Sequence, residues 1–397
     1  ATHGEGFIRG FFNVIKSATT GTGAALERLF ITGVSPVTMD DVTSGFNIGT
    51  NITNDSWFND LVGFSENELR EMLEYYKEQG VLQESIDEIV AMMKPNYDNY
   101  CFSEDTLEQC MFNSDMALYF LKSFVLHHKK PKEIVDPNIR TDFNKLAYLI
   151  KLDHGLGENF SVIKEIAEQG EIITDIVTHF SALEMTDPSN FKSLLFYFGL
   201  LSIKGVDMVG RPILHVPNLV VREQLFNFLI QGYIKHDIFK IDMNKMSALF
   251  ENMAFRGDWK PLFDFIANAV REQSRIREYI EGEAHIKGFL LAYLGMYRYY
   301  QLYPEYELNK GFADFFFKPS LSVPVLPPFT YLLEVKYAKA GASEKEIRAL
   351  ADEAREQLLR YSEDELVAEA KAKGELKLIT IVWRSWELAL LEEVTLS

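Results

Sequence analysis

Residues 311–339 read GFADFFFKPSLSVPVLPPFTYLLEVKYAK, and the architecture turns on where this stretch puts its charges. Two runs, ADFFF and TYLLEVKYA, are aromatic and aliphatic and are bounded by Gly and Pro, the composition of strands. The Pro-rich SVPVLPP (322–328) between them reads as a connector. Yet Asp314 opens the first run, and Glu334 and Lys336 sit inside the second. Side chains alternate faces along a strand, so Glu334 and Lys336, two apart, point the same way. Asp314 lies on the strand expected beside them.

Two carboxylates converging on one side of a sheet repel unless something positive lies between them. A divalent cation is the usual solution, and a small set of hard oxygen ligands suits Mg²⁺ or Mn²⁺, with water completing the shell. A lysine beside such a cation positions a water or offsets charge developing on a phosphate. These parts add up to metal-assisted hydrolysis of a phosphodiester. Asp314, Glu334 and Glu283 are the expected metal ligands. Glu283 is offered by the preceding helix, on which Glu281 or Glu283 could face the sheet. The helix after the second strand offers Gln357 and Tyr361, four apart and so on one face, as hydrogen-bond donors.

Outward from this stretch the chain is mixed α/β. Residues 271–397 read as a helix (REYIEGEAHIKGFLLAYLGM), strands (YELNKGFADFFF, then TYLLEVKYA), a charged helix (SEKEIRALADEAREQLLRY) and a last strand (KLITIVWR). That order is a compact α/β sandwich. Residues 56–270 read as largely helical. Within them, SENELREMLEYYKEQG carries a Ser65 cap, Glu68 three residues later and Gly80 as the stop. LLSI and ILHVPN read as a hairpin resembling the wing of a winged helix, with Arg211 its one basic residue near the turn. In residues 1–55, GFIRGFFNVIKSAT reads as an amphipathic helix and Leu29–Ile31 as a short buried strand. No partner strand lies upstream, so this part is expected to be the tail of a domain whose front is absent.

The chain has 397 residues, a net charge of −18 and two cysteines, Cys101 and Cys110. Two thiols make neither a disulfide framework nor a four-cysteine zinc site, which fits a reducing cytoplasm. No apolar run is long enough to span a bilayer, so no membrane partner is expected. Residues 270–397 hold 17 Lys/Arg against 21 Asp/Glu, so even this third is not basic. The acidic field counts against tight non-specific DNA binding.

At Glu283, Asp314, Glu334 and Lys336, with Gln357 and Tyr361 after, the sequence resembles the PD-(D/E)XK nuclease superfamily. The pattern is an acid on a core helix, Asp on one strand, Glu-x-Lys on the next, then Gln and Tyr on the following helix. Glu-x-Lys alone carries no weight; the ordered set with its GFAD and YLLEVKY contexts does. LFITGVSPVTMDDVTSGFNI (29–48), HFSALEMTDPSNFKSLLFYFGLLSI (179–203) and the terminal EQLLRY further resemble a bacterial family that joins an AAA-ATPase-like domain to this nuclease fold. Residues 1–55 would then be the C-terminal remnant of the ATPase core, with Thr32 near its sensor position. The resemblance implies a restriction-endonuclease-like domain over 271–397, Mg²⁺ or Mn²⁺ as cofactor, DNA as substrate and a homo-oligomer as an open alternative to a monomer. No Gly-rich loop ending in Gly-Lys-Ser/Thr is present and no Walker B run, so ATP is expected only with a further N-terminal part.

The competing reading of Asp314, Glu334 and Lys336 is a structural ion pair on an inactive nuclease-fold scaffold that recruits a protein or nucleic acid. His127 and His128 are adjacent and do not converge on one ion. No Gly-x-Ser-x-Gly and no cysteine in an activating context supports a nucleophile.

Overall fold

The computed structural model describes residues 7–19, 23–33, 50–128, 131, 135–136, 158–178, 184, 187–235, 242–272, 282–295, 297, 299–308, 311–320, 323, 325–372 and 374–395. Compact packing divides the chain into two units, one drawn from residues up to 221 and the other chiefly from 222 onward.

The first unit begins with the expected amphipathic helix α1 (Phe7–Thr19). The expected strand at Leu29–Ile31 does not form. These residues carry no strand pairing and their side chains are 41%, 65% and 40% exposed. A buried strand needs a ladder partner for its N–H and C=O groups, and no described strand supplies one here. Residues 34–48 of the ATPase-like segment lie outside the described residues. Helices α2 (Glu66–Glu78), α3 (Ile86–Tyr97) and α4 (Ser114–His127) follow. The Ser65–Glu68 capping box closes α2 at its start, and Gly80 turns away beyond its end at φ +70°.

Helix α5 (Glu158–Gln169) leads to strand β1 (Glu171–Ile173), and helix α6 (Pro188–Tyr197) to β2 (Ser202–Val206) and β3 (Pro212–His215). The hairpin read from the sequence is β2–β3, and β1 adds to it in the antiparallel order β1-β3-β2. Asp207 holds Arg211 at the hairpin turn, with Nε 2.8 Å from Oδ2. The turn therefore presents Met208 and Val209 to solvent, not a free cation.

The second unit carries the sheet foreseen at residues 311–339. Helices α7 (Leu219–Lys235), α8 (Met243–Arg256), α9 (Lys260–Glu272) and α10 (Glu283–Leu294) precede strands β4 (Tyr300–Leu308), β5 (Gly311–Pro319) and β6 (Phe329–Ala338). Then come α11 (Glu344–Tyr361), α12 (Glu365–Ala372), β7 (Glu375–Arg384) and β8 (Glu387–Val394). The sheet order is β4-β5-β6-β7-β8. Only β6 and β7 run parallel, so the sheet is mixed and the chain is mixed α/β.

Three details depart from the sequence reading. YELNKGFADFFF is not one strand: it spans the end of β4 and the start of β5, where Leu308 pairs with Gly311 and Gly311 has φ +139°. KLITIVWR does not close the sheet, because β8 pairs along its outer edge. The short helix α12 fills the crossover to β7. Helix α11 packs on β6 and β7 through Ile347, Ala351, Ala354, Leu358 and Tyr361, spaced to share one face. Alanines at the centre of that stripe let the helix approach the sheet closely. On α8, Met253 accepts a hydrogen bond from the buried Tyr331 hydroxyl at 2.7 Å, and on the loop before α9 Trp259 donates to Glu393 at 2.9 Å. These bonds tie the preceding helices to the sheet.

Candidate active site

The site begins where β5 leaves β6. Their ladder runs from Phe317↔Tyr331 to Phe315↔Leu333 and stops. Continued by one residue, that register would set Asp314 opposite Glu334. There the Asp314 side chain takes over the ladder's function, and its Oδ2 accepts the Val335 N–H at 2.6 Å. On its other side β6 stays paired with β7 along its whole length, with Glu334 beside Thr380. The parting of two strands, with a third holding the centre firm, brings polar side chains together inside an apolar sheet. Asp314 and Glu334 are 4% and 3% exposed.

Each buried carboxylate has a lysine. Lys336 Nζ lies 3.3 Å from Glu334 Oε1 and 3.1 Å from Glu353 Oε1 on α11. Lys287, from α10, contacts Asp314 Oδ1 and lies 3.1 Å from Glu283 Oε1, one helical turn back. Among the described residues, four carboxylates therefore share two ammonium groups here. Glu334 feels its surroundings strongly. Burial first, then the charge of Asp314, push its carboxyl up to about 8, against the opposing pull of Lys336 and Lys287. Its Oε2 is buried and accepts no hydrogen bond. Burial pulls the Lys336 ammonium down, but Glu334 and Glu353 outweigh that and its pKa is raised. Lys336 is therefore a cation at neutral pH.

Of the residues proposed from sequence, Glu283, Asp314, Glu334 and Lys336 fall in this one network. Glu281 lies outside the described residues. Gln357 is half-buried one turn beyond Glu353 on α11, and its Oε1 is enclosed without a hydrogen-bond partner. Tyr361 goes elsewhere: it is 3% exposed among Leu308, Ala313, Phe316 and Leu332, with its hydroxyl against Gly311. Two members were missed. Lys287 stands four residues after Glu283 and Glu353 four before Gln357, but such spacing is ordinary on a helix and does not by itself point to the sheet.

No curated protein matches the chain. Residues 281–393 match the family model described as PD-(D/E)XK nuclease superfamily. The mixed sheet with α10 before it, α11 across it and this charged cluster at the β5–β6 parting is accordingly a C-terminal PD-(D/E)XK domain, and it points to a nuclease-type function.

Proposed function

We propose that the C-terminal domain hydrolyses phosphodiester bonds of DNA with the help of Mg²⁺ or Mn²⁺. One observation carries the reading: two buried carboxylates lie at a strand parting, and one of them holds an enclosed, unpartnered oxygen, Glu334 Oε2. An orphaned carboxylate oxygen beside a second buried carboxylate fits a hard cation. Among the described residues no three His, Cys, Asp or Glu side chains form a metal-holding group. Asp314 and Glu334 would therefore be the principal ligands, with water and phosphate oxygens completing the shell and Glu283 linked to them through Lys287. Such sparse protein ligation is usual for Mg²⁺.

A cation held there would neutralise charge on the phosphate under attack. Lys336, as an ammonium, would hydrogen-bond a phosphate oxygen or orient the attacking water. Gln357, one helical turn beyond Glu353, would bind water or substrate through its enclosed, unpartnered Oε1. Tyr361 is assigned to packing. The likeness of residues 29–48 to the ATPase-linked family supports coupling to an AAA-type motor in a longer protein, and no ATPase activity is expected of this chain. Cysteine usage supports a cytoplasmic location.

Incubation of plasmid and single-stranded DNA with Mg²⁺ or Mn²⁺ tests the proposal. Cleavage should fall at least about a hundredfold in Glu334→Gln and Lys336→Ala variants. Unchanged cleavage in either would remove that residue from the site. The pairing of each carboxylate with its own lysine favours a second reading, an inactive scaffold stabilised by ion pairs. That reading requires a folded chain with no cation-dependent cleavage of any DNA.

A further inference from the structure

The two lysines of the site are not equivalent. Lys336 engages one oxygen of Glu334 and leaves Oε2 open. Lys287 instead sits on Asp314 Oδ1 while Val335 N–H takes Oδ2, so both oxygens of Asp314 are engaged. A dication brought to Asp314 would meet an ammonium already there, inside a buried site where like charges repel strongly. Lys287 also has somewhere to go. Glu283 Oε1 is 3.1 Å away, and the Glu283 side chain is 42% exposed against 5% for Asp314. The acid stands one helical turn before the lysine, the favourable order for such a pair.

We propose that Lys287 is a tethered competitor for the cation position, seated on Asp314 when no divalent cation is bound and withdrawn to Glu283 when one is. This rests on the metal reading above and deepens it. Lys287 is thus a positioning residue that raises the cation concentration the site requires, and Glu283 acts through it as the alternative seat.

Calorimetric titration of the full chain with Mn²⁺ tests this, taking as the site's own signal the binding that Glu334→Gln abolishes. Removing the ammonium in Lys287→Met should tighten that binding by at least about tenfold, because one close positive charge is lost from a buried site. Lys287→Arg, which keeps the charge, should not tighten it. Glu283→Gln should weaken binding about threefold or more in the native background and leave it unchanged in Lys287→Met, a pairwise coupling that a direct ligand would not show. Lys287→Met binding no tighter than the native chain overturns the proposal while leaving the metal reading intact. Equal weakening by Glu283→Gln in both backgrounds also overturns it. If circular dichroism shows Lys287→Met unfolded, Glu283→Gln alone decides: weaker binding supports the proposal, and unchanged or tighter binding overturns it. Absence of Glu334-dependent Mn²⁺ binding in every variant, Lys287→Met included, sinks the metal reading and this one with it.

Discussion

At the scale of single residues, Glu334 bears a heavy electrostatic burden. Its carboxyl is raised from an ordinary 4.5 to about 8. Between those values the folded chain holds a proton that the unfolded chain releases. The stabilising contribution is thus fully present below about 4.5 and lost as pH rises through about 8. Glu334→Gln cannot ionise, so its stability relative to the native chain should rise across that window, by on the order of 3 kcal/mol. Chemical denaturation in a chelating buffer at about pH 5 and about pH 9 measures the difference. A gap independent of pH would contradict the buried placement of this carboxyl. Asp314, Glu334 and Lys336 were legible in the sequence because charges inside an apolar strand are anomalous wherever they occur. Lys287 and Glu353 were not, because a charged residue on a helix with solvent on one side is ordinary. Only the meeting of α10 and α11 with the sheet gives those two their partners.

Among the elements, the start of β5 at Gly311 sets where Asp314 falls. Gly311 holds φ +139°, a region that side-chain-bearing residues rarely enter, and a Cβ there would come within 2.9 Å of the Tyr361 hydroxyl. Gly311→Ala should cost about 2–3 kcal/mol from strain and contact together. It should also blunt any activity by shifting β5 three residues before Asp314. Thermal unfolding with a parallel cleavage assay checks both, and an unperturbed melting temperature would mean that the backbone at Gly311 relaxes freely. The capped helices α2 and α11 were readable because Ser65–Glu68 supplies a complete local signal and the core-facing stripe of α11 a complete periodic one. β4 and β8 were not. Both are edge strands, where Pro304 and the glutamates of β8 are tolerated because one side of each makes no ladder. The buried strand expected at residues 29–31 failed for the opposite reason: apolar composition suggested burial, but among the described residues no strand pairs with it.

For the whole molecule, charge frames the function. A chain at −18 with 58 acidic residues repels a polyanion at long range and attracts divalent cations everywhere on its surface. Mn²⁺ uptake by itself therefore says little, and the position of the cation says most. The composition made the acidity plain but could not locate it. The fold concentrates four carboxylates and two lysines at one strand parting, and that concentration separates a site from a solvated surface. The most direct measurement is anomalous diffraction from crystals soaked in Mn²⁺. The account predicts a peak within coordination distance, about 2.2 Å, of carboxylate oxygens from both Asp314 and Glu334. Mn²⁺ found only on exposed carboxylates, with Lys287 still seated on Asp314, would contradict it.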